Sequence, residues 1–299
     1  MAENPKYAVA VIGGAVAGAE AAKVLAERGI SVVVFEQGAR PYGKIEDGLP
    51  VWHSKMRKAE FARIDLAYQH PLVSFVPKTR IGDDVTFESL SQEWGFNFVL
   101  LANGAWRDRP LGIEGVDSFI NKGFYYQNPL MYWFNRRGNG KSEGTPCDLK
   151  EGALVVGGGL ASIDVCKVFM LSTIHTALAK RGIETDIETL ERRGCDKILE
   201  ENKLTFSDLG VEACTLFYRR QEQDMPLVAF KEGASDEDKL KTYKTRQVLL
   251  NRAMKRYFFK VSACNRPIDK LVEDGRLVGL RFIKTTLENG RLVDVPGSE

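Results

Sequence analysis

The chain has 299 residues, enough for two domains of ordinary size, and its 44% hydrophobic and 27% charged residues are typical of a folded globular protein. A formal net charge of +2 gives no reason to expect nucleic acid as a partner, and we expect no membrane insertion. The five cysteines are scattered and never spaced Cys-x-x-Cys. This pattern argues against a disulfide framework or a bound metal and favours a reducing cytoplasm.

The first 36 residues predict one βαβ unit. Residues 7–12 form a short apolar run, residues 17–28 an alanine-rich helix ended by Gly29, and residues 30–36 a β-branched run suited to a central parallel strand. The first strand and helix are therefore joined by a short glycine-containing turn.

That turn, "VIGGAVAGAE", nearly matches the Gly-x-Gly-x-x-Gly fingerprint of a dinucleotide site, with Gly13, Ala15 and Gly18 in the three places. The first glycine permits the sharp turn, the second lets the backbone approach the pyrophosphate, and the third lets helix and strand pack closely. Ala15 adds one methyl group where the phosphate approaches. Glu36 ends the second strand, where an acid holds ribose hydroxyls. A core βαβ unit without a ligand remains the alternative.

The middle of the chain predicts further alternating elements. Residues 57–69 have helical spacing, and residues 73–77 and 96–105 are typical of strands. The polar, glycine-rich stretch 138–150 predicts a linker.

A second βαβ unit starts after this linker. Residues 152–159 predict a strand, 160–171 a helix and 214–220 the next strand, while the charged stretch 172–212 between them predicts a helical insertion. The last 30 residues favour β-hairpins, because Asp274-Gly275 and Asn289-Gly290 are strong hairpin turn signals.

The second turn, "VVGGGLASID", places Gly157, Gly159 and the small residue Ser162 at the three fingerprint positions. The following strand ends not in an acid but in Arg219 and Arg220. Arginine pairs with a ribose 2′-phosphate that an acid would repel. A solvated strand end remains the alternative, since the intervening stretch is unusually long.

Two dinucleotide turns, one followed by an acid and one by arginines, predict FAD together with NADP as cofactors. The flavin then accepts hydride from the nicotinamide.

Several segments in order resemble the adrenodoxin reductase group of flavoproteins and its relative, the small subunit of glutamate synthase. They are "GARPYGKIEDGLPVWH", "LLANGAWRDRPLGIEGVD", "NPLMYWFNRRGN", "VVGGGLASID" and "YRRQEQDMPL". The resemblance spans essentially the whole chain. It implies an α/β fold with two Rossmann-like dinucleotide-binding domains.

Carried over residue by residue, the resemblance implies two sets of cofactor-binding residues and one catalytic residue. The set expected to bind FAD is Gly13, Ala15, Gly18, Glu36, Gly43, Leu49, Trp52, Ala102, Asn103, Gly104 and Ala105. The set expected to bind NADP is Gly157, Gly159, Leu160, Ala161, Ser162, Arg219 and Arg220. His53 matches a histidine near the flavin ring and is the expected catalytic residue, with a packing role as the alternative.

We therefore expect an FAD-binding domain over residues 1–148, and an NAD(P)-binding domain over 149–299 with its insertion at 172–212. Family members close the FAD site with a further C-terminal segment, so the FAD domain is expected to be incomplete and another chain to complete the site if the sequence is not a fragment. The resemblance does not extend to the N-terminal cysteine-cluster domain of the glutamate synthase subunit, so we expect any iron–sulfur centre to belong to a partner.

The expected function is hydride transfer from NADPH to FAD and electron transfer onward to an iron–sulfur protein or subunit. Two alternatives remain open at this point: an oxidoreductase subunit acting on a small organic substrate in a larger complex, and a non-catalytic scaffold subunit.

Overall fold

A computed structural model describes residues 6–137 and 144–299 of the chain. Part of the predicted linker, residues 138–143, lies outside the described residues. The described residues form two compact units. The first unit contains residues 6–108 and 135–137, and the second contains residues 109–134 and 144–299.

The first unit is built on a four-stranded parallel sheet in the order β3-β2-β1-β4. The strands are β1 Ala8–Ile12, β2 Ser31–Phe35, β3 Val73–Val76 and β4 Phe98–Leu101. The two central strands carry the fully buried valines, as expected of strands covered on both faces. β4 is an edge strand, with Phe98 and Leu101 exposed to 73% and 64%.

Four helices belong to the first unit: α1 Val16–Ala26, α2 Gly43–Asp47, α3 Ser54–Tyr68 and α4 Phe87–Gln92. The buried face of α1 consists of the small residues Gly18, Ala19, Ala22 and Ala26. Because these side chains are short, the helix axis lies close to the sheet, which brings the start of α1 against the end of β1.

The second unit contains two three-stranded sheets, a parallel one in the order β5-β6-β7 and an antiparallel one in the order β10-β9-β8. The strands are β5 Leu154–Val156, β6 Thr215–Tyr218, β7 Lys260–Ala263, β8 Asn265–Glu273, β9 Arg276–Glu288 and β10 Arg291–Asp294. The helices are α5 Gln127–Arg136, α6 Leu160–Ala179, α7 Ile187–Arg193, α8 Cys195–Glu201 and α9 Asp236–Tyr257. The last two residues of α5 group with the first unit.

The two predicted hairpin turns are confirmed. Asp274 and Gly275 have φ values of 48° and 72° and join β8 to β9, and Asn289 and Gly290 have φ values of 50° and 75° and join β9 to β10. Two successive residues with positive φ are the type I′ geometry that Asp-Gly and Asn-Gly favour.

Helix α6 is long and apolar enough to cross a membrane by length and composition. In the second unit, however, 61% of its most apolar stretch is buried, with Cys166, Val168, Leu171 and Leu178 fully covered. This is the burial of a core helix that packs on a sheet.

The predicted α/β fold with two Rossmann-like units is confirmed, since each unit contains a strand, a glycine turn and a helix in succession on a parallel sheet. The stretch predicted as a helical insertion contains the end of α6, then α7 and α8. The division into compact units differs from a cut at residue 148, because Arg109–Phe134 groups with the second unit. Assignment of residues 1–148 and 149–299 to the two cofactors stays a prediction.

Gly123 in the second unit lies so close to a neighbouring backbone that we expect the stability of the fold to depend on having glycine there. Gly123 has φ +91°, and a Cβ atom there would lie 2.1 Å from the Leu277 carbonyl oxygen. Gly123→Ala should lower the free energy of unfolding by about 3 kcal/mol, from positive-φ strain and overpacking together. Gly210→Ala is the matched control, because Gly210 has φ +66° with open space around it and should cost about 1 kcal/mol. Denaturant titration measures both, and equal losses would contradict the steric argument.

Candidate dinucleotide-binding sites

The first glycine of the first turn lies where two strand ends meet. Gly13 has φ +101°, and a Cβ atom there would lie 2.6 Å from the Ala102 carbonyl oxygen and 2.8 Å from the Asn103 Cα. The Gly13 N–H donates to the Phe35 carbonyl at 2.8 Å. Any other residue would be strained in its backbone and would collide with the chain that leaves β4.

The third position requires glycine even more strictly. A Cβ atom on Gly18 would lie 1.9 Å from the Gly13 carbonyl oxygen and 3.4 Å from Val11 Cγ1. The first turn of α1 therefore rests directly on the backbone of the preceding turn. This is the close helix-to-strand packing that the fingerprint predicts.

The middle position, Ala15, is the N-cap residue of α1. Its methyl group packs toward α2, because a Cβ atom on Gly43 would lie 2.9 Å from the Ala15 Cβ. Gly43 has φ +46° and supplies the room that the Ala15 methyl occupies. The two predicted residues are thus brought into contact.

The N-termini of α1 and α6 lack a capping side chain, with Ala15 and Gly159 at the N-cap positions. Three other helices are capped by Thr86, Asp186 and Ser235, whose side chains accept a backbone N–H, while α2, α3 and α8 also lack a capping side chain. The first N–H groups of α1 and α6 therefore receive no hydrogen bond from an N-cap side chain. Together with the helix dipole, such groups form a site for a phosphate.

The acid at the end of β2 is tied to the same turn. Glu36 is 9% exposed, and its Oε2 and Oε1 accept hydrogen bonds from the N–H groups of Gly14 and Gly38, each at 2.8 Å. The Tyr68 hydroxyl donates to the Gly14 carbonyl at 2.6 Å. Burial, together with the charge of Glu36, raises the pKa of the Tyr68 hydroxyl, so it stays a donor. Glu36 thus lies beside the glycine turn, as predicted.

A cavity of about 250 Å³ opens at the carboxyl edge of the first sheet. It is lined by Ile12, Gly13, Phe35, Glu36, Gln37, Thr79, Arg80, Ile81, Phe87, Leu101, Asn103 and Trp106. Ligands of parallel α/β sheets bind at this edge. Sequence reasoning missed the residues after β3 and the Arg80 guanidinium, which lies 5.3 Å from the Trp106 ring centre, because nothing local distinguishes them from a solvated loop.

The remaining residues predicted around β4 and α2 lie on the chain after β4 and in the segment that joins α2 to α3. Gly104 and Ala105 follow Asn103 on the exposed chain after β4. Trp52 is buried, and His53 is half-buried at the end of the turn Val51–His53, which leads into α3. The role of His53 stays a prediction.

Sequence reasoning also missed the side chain that holds the segment leading to His53. The Asn135 amide Nδ2 lies within hydrogen-bond distance of the carbonyl oxygens of Glu46, Asp47 and Leu49, at 3.2, 3.1 and 3.1 Å. Arg136 pairs with Asp47 at 2.6 Å. Asn135 lies in the segment "NPLMYWFNRRGN", whose resemblance to the family was the available signal.

The second turn is also closely packed, but through different residues. A Cβ atom on Gly157 would lie 2.9 Å from the Ser162 Cβ, and the Ser162 hydroxyl donates to the Gly159 carbonyl at 2.7 Å. A Cβ atom on Gly158 would lie 2.3 Å from the Tyr218 ring, whereas one on Gly159 would meet nothing within 4 Å. Gly159 therefore leaves open space at the N-terminus of α6, as a bound phosphate requires.

The other residues predicted for the second site are exposed around this turn. Leu160 and Ala161 begin α6, and Arg219 and Arg220 directly follow β6. Within the described ranges neither arginine forms an ion pair, and their backbone carbonyls accept hydrogen bonds at 2.6 and 2.9 Å. Two exposed cationic side chains thus stand at this strand end, and their role in binding stays a prediction.

Replacing the Asn135 amide tests its hold on the segment 46–49. Asn135→Asp removes both N–H groups and places a carboxylate against three carbonyl oxygens, so the segment should open more readily. The Gly48 and Leu49 amides, which both donate to the Lys44 carbonyl, should then exchange hydrogen at least about tenfold faster. Asn251→Asp on the exposed face of α9 serves as the control. Unchanged exchange at both amides would contradict the assignment.

Comparison with known proteins agrees with this geometry. The profile of the pyridine nucleotide-disulphide oxidoreductase family matches residues 7–208. The structure of Mycobacterium tuberculosis FprA in complex with NADPH superposes with a TM-score of 0.68 at 19% identity, covering 98% of this chain and 67% of FprA. At this identity the likeness shows the fold.

Two curated relatives are matched over part of their length. The NADPH-Fe(3+) oxidoreductase subunit beta of Geobacter sulfurreducens is 26% identical over 236 residues, which are 77% of this chain and 27% of that protein. The glutamate synthase [NADPH] small chain of Bacillus subtilis is 36% identical over 118 residues, 40% of this chain and 22% of that protein. The chain thus spans about a quarter of the length of these relatives. The family resemblance predicted from the sequence is confirmed: the chain belongs to the pyridine nucleotide-disulphide oxidoreductase family, whose members are FAD-dependent NAD(P)H oxidoreductases.

Proposed function

We propose that the chain is a flavoprotein oxidoreductase module in which FAD accepts hydride from NADPH and passes electrons to an iron–sulfur protein or subunit. One observation carries the proposal. The chain contains two glycine turns with uncapped helix N-termini, and the neighbouring strand ends in a buried glutamate in one unit and in two exposed arginines in the other.

FAD is assigned to the first unit. The first N–H groups of α1 would hold its pyrophosphate, Glu36 its adenosine ribose, and the cavity at the edge of the sheet its adenine side. Leu49, Trp52 and His53 would lie along the flavin, on the segment held by Asn135. When bound, FAD supplies a carrier that takes up a hydride and releases electrons, and the side chains bind and orient it.

NADPH is assigned to the second unit. Gly159 would face its pyrophosphate, and Arg219 and Arg220 its 2′-phosphate. Support comes from two relatives and one fold neighbour whose names or complexes include NADPH.

The proposed acceptor is an iron–sulfur protein or subunit, and the proposed location is the cytoplasm. Two relatives named as a subunit or a small chain of an NADPH enzyme support an acceptor on another chain. The proposed reaction uses no thiol of this chain: all five cysteines are free, and Cys147, Cys166, Cys195 and Cys214 are buried.

Reconstitution with FAD under anaerobic conditions tests the proposal. We expect the purified protein to bind FAD and its visible absorbance to bleach with NADPH faster than with NADH. The reduced protein should then pass electrons to a ferredoxin faster than to small organic acceptors. A protein that keeps no flavin absorbance after excess FAD has been removed by gel filtration overturns the flavin assignment. Binding without bleaching favours a scaffold role, and preferential reduction of a small organic compound overturns the iron–sulfur acceptor.

Two substitutions in the glycine turn should differ sharply in their effect on FAD binding. Gly13→Val should abolish FAD binding, because its side chain would enter the space of the Ala102 carbonyl. Ala15→Gly should leave the FAD Kd within about tenfold of the wild-type value, because the lost methyl packs on Gly43. Flavin fluorescence quenching gives both Kd values, with circular dichroism as the folding control. FAD binding by folded Gly13→Val would contradict the placement.

The arginines at the end of β6 predict the cofactor preference. Replacing both Arg219 and Arg220 with alanine removes the charge-assisted hydrogen bonds expected at the 2′-phosphate, worth about 1.5–3 kcal/mol for one bond. The ratio of kcat/KM for NADPH over NADH should fall roughly ten- to a hundredfold. The rate with NADH, which has no 2′-phosphate, is the internal control. An unchanged ratio would show that the arginines form only a solvated strand end.

A further inference from the structure

Arg246, in the middle of α9, is a buried cation that the proposed reaction does not use. It is 5% exposed, and its guanidinium donates only to backbone carbonyls. Nε and Nη2 donate to the Val228 carbonyl at 2.9 and 2.6 Å, and Nη1 donates to the Gln223 carbonyl at 3.3 Å. Within residues 6–137 and 144–299 it forms no ion pair. Burying a charge without a carboxylate partner is costly, so the hydrogen bonds that this guanidinium makes to the backbone are the contacts that offset the cost.

Two aromatic rings complete the surroundings of this guanidinium. Its central carbon lies 4.3 Å from the Phe230 ring centre and 5.6 Å from that of Tyr243. Cation–π contacts of this kind partly offset desolvation. The planar guanidinium thus stacks on a ring while its edge holds the backbone.

The backbone that Arg246 holds is the loop of residues 221–230, which begins directly after Arg219 and Arg220. Next to Arg246 on α9, Gln247 donates to the Glu222 carboxylate at 2.9 Å. From the strand side, the Tyr218 hydroxyl donates to the Asp224 carbonyl at 3.1 Å. The loop is therefore fixed on one side by α9 and on the other by β6.

The same tyrosine connects this loop to the glycine turn. The Tyr218 ring packs so closely on Gly158 that a Cβ atom there would lie 2.3 Å away. Burial raises the pKa of the Tyr218 hydroxyl, while the charges of Arg220, Arg219 and Arg246 act in the opposite direction. The loop and the glycine turn therefore contact the same side chain, and Arg219 and Arg220 follow it directly in the chain.

We propose that Arg246 is a positioning residue for recognition of the 2′-phosphate: it fixes the 221–230 loop so that Arg219 and Arg220 present their guanidinium groups to the phosphate. The inference rests on the proposed function of the second unit. Lysine could not replace Arg246, because an ammonium group lacks the planar set of donors that reaches two carbonyls at once.

The test separates 2′-phosphate recognition from general nucleotide binding. The Kd values of 2′,5′-ADP and 5′-AMP are measured by calorimetry for wild type, Arg246→Lys and Arg246→Met. We expect Arg246→Met to weaken 2′,5′-ADP binding about tenfold and to leave 5′-AMP within about threefold, with Arg246→Lys closer to Met than to wild type. Arg252→Met, an exposed arginine on the same helix, is the matched control and should change neither value.

Each outcome decides between support and rejection. Arg246 variants that keep the wild-type preference for 2′,5′-ADP overturn the positioning role, and so does equal weakening of both nucleotides, which a merely structural role would produce. A wild-type protein that binds both nucleotides equally overturns the 2′-phosphate site, and the role of Arg246 with it.

A second measurement does not depend on the folding of the variants. Hydrogen exchange of the wild-type protein should show the 221–230 amides more protected with 2′,5′-ADP than with 5′-AMP. Equal protection by the two nucleotides would overturn the proposal even if the variants failed to fold.

Discussion

The architecture of the first unit depends on one close backbone contact, in which the Gly13 carbonyl oxygen lies against the Cα of Gly18. No methyl group fits there, since a Cβ atom would lie 1.9 Å from that oxygen. Because the helix is seated this closely, its first N–H groups point to where a phosphate would lie, and the Gly14 N–H reaches the Glu36 carboxylate. A wider helix-to-strand spacing would separate the turn from the acid that follows β2.

The second unit packs its helix against its turn with a serine in place of the third glycine. Ser162 fits against Gly157 because its small Cβ occupies the space that a side chain at Gly157 would need, and its hydroxyl satisfies the Gly159 carbonyl. The two strand ends then differ for an electrostatic reason. Backbone N–H groups stabilise a buried carboxylate, as at Glu36, whereas Arg219 and Arg220 keep their charges in water at an exposed end.

The features that could be predicted from the sequence are those that neighbouring residues in the chain cause. Asp-Gly and Asn-Gly adopt positive φ in any context that asks for a tight hairpin, so both hairpins follow from residue type. The parallel strands and the two glycine turns follow from β-branched runs and spacing. Asn135 and Arg246 could not be found this way, because each binds carbonyl oxygens of a segment distant in the chain, and a backbone carbonyl carries no mark of residue type. The family resemblance singled out the segment around Asn135 but not this amide.

The order of residues was thus sufficient to identify the family, the paired glycine turns and the opposite charges at the strand ends that follow them. These properties depend on steric demands within a few residues and on the sign of a charge. Folding in three dimensions assigned the contacts between distant residues: the Ala15 methyl against Gly43, the loop 46–49 on Asn135, and the loop 221–230 on Arg246. Each contact depends on which atoms come within a few ångströms of one another, and the close packing of the whole unit determines which atoms do.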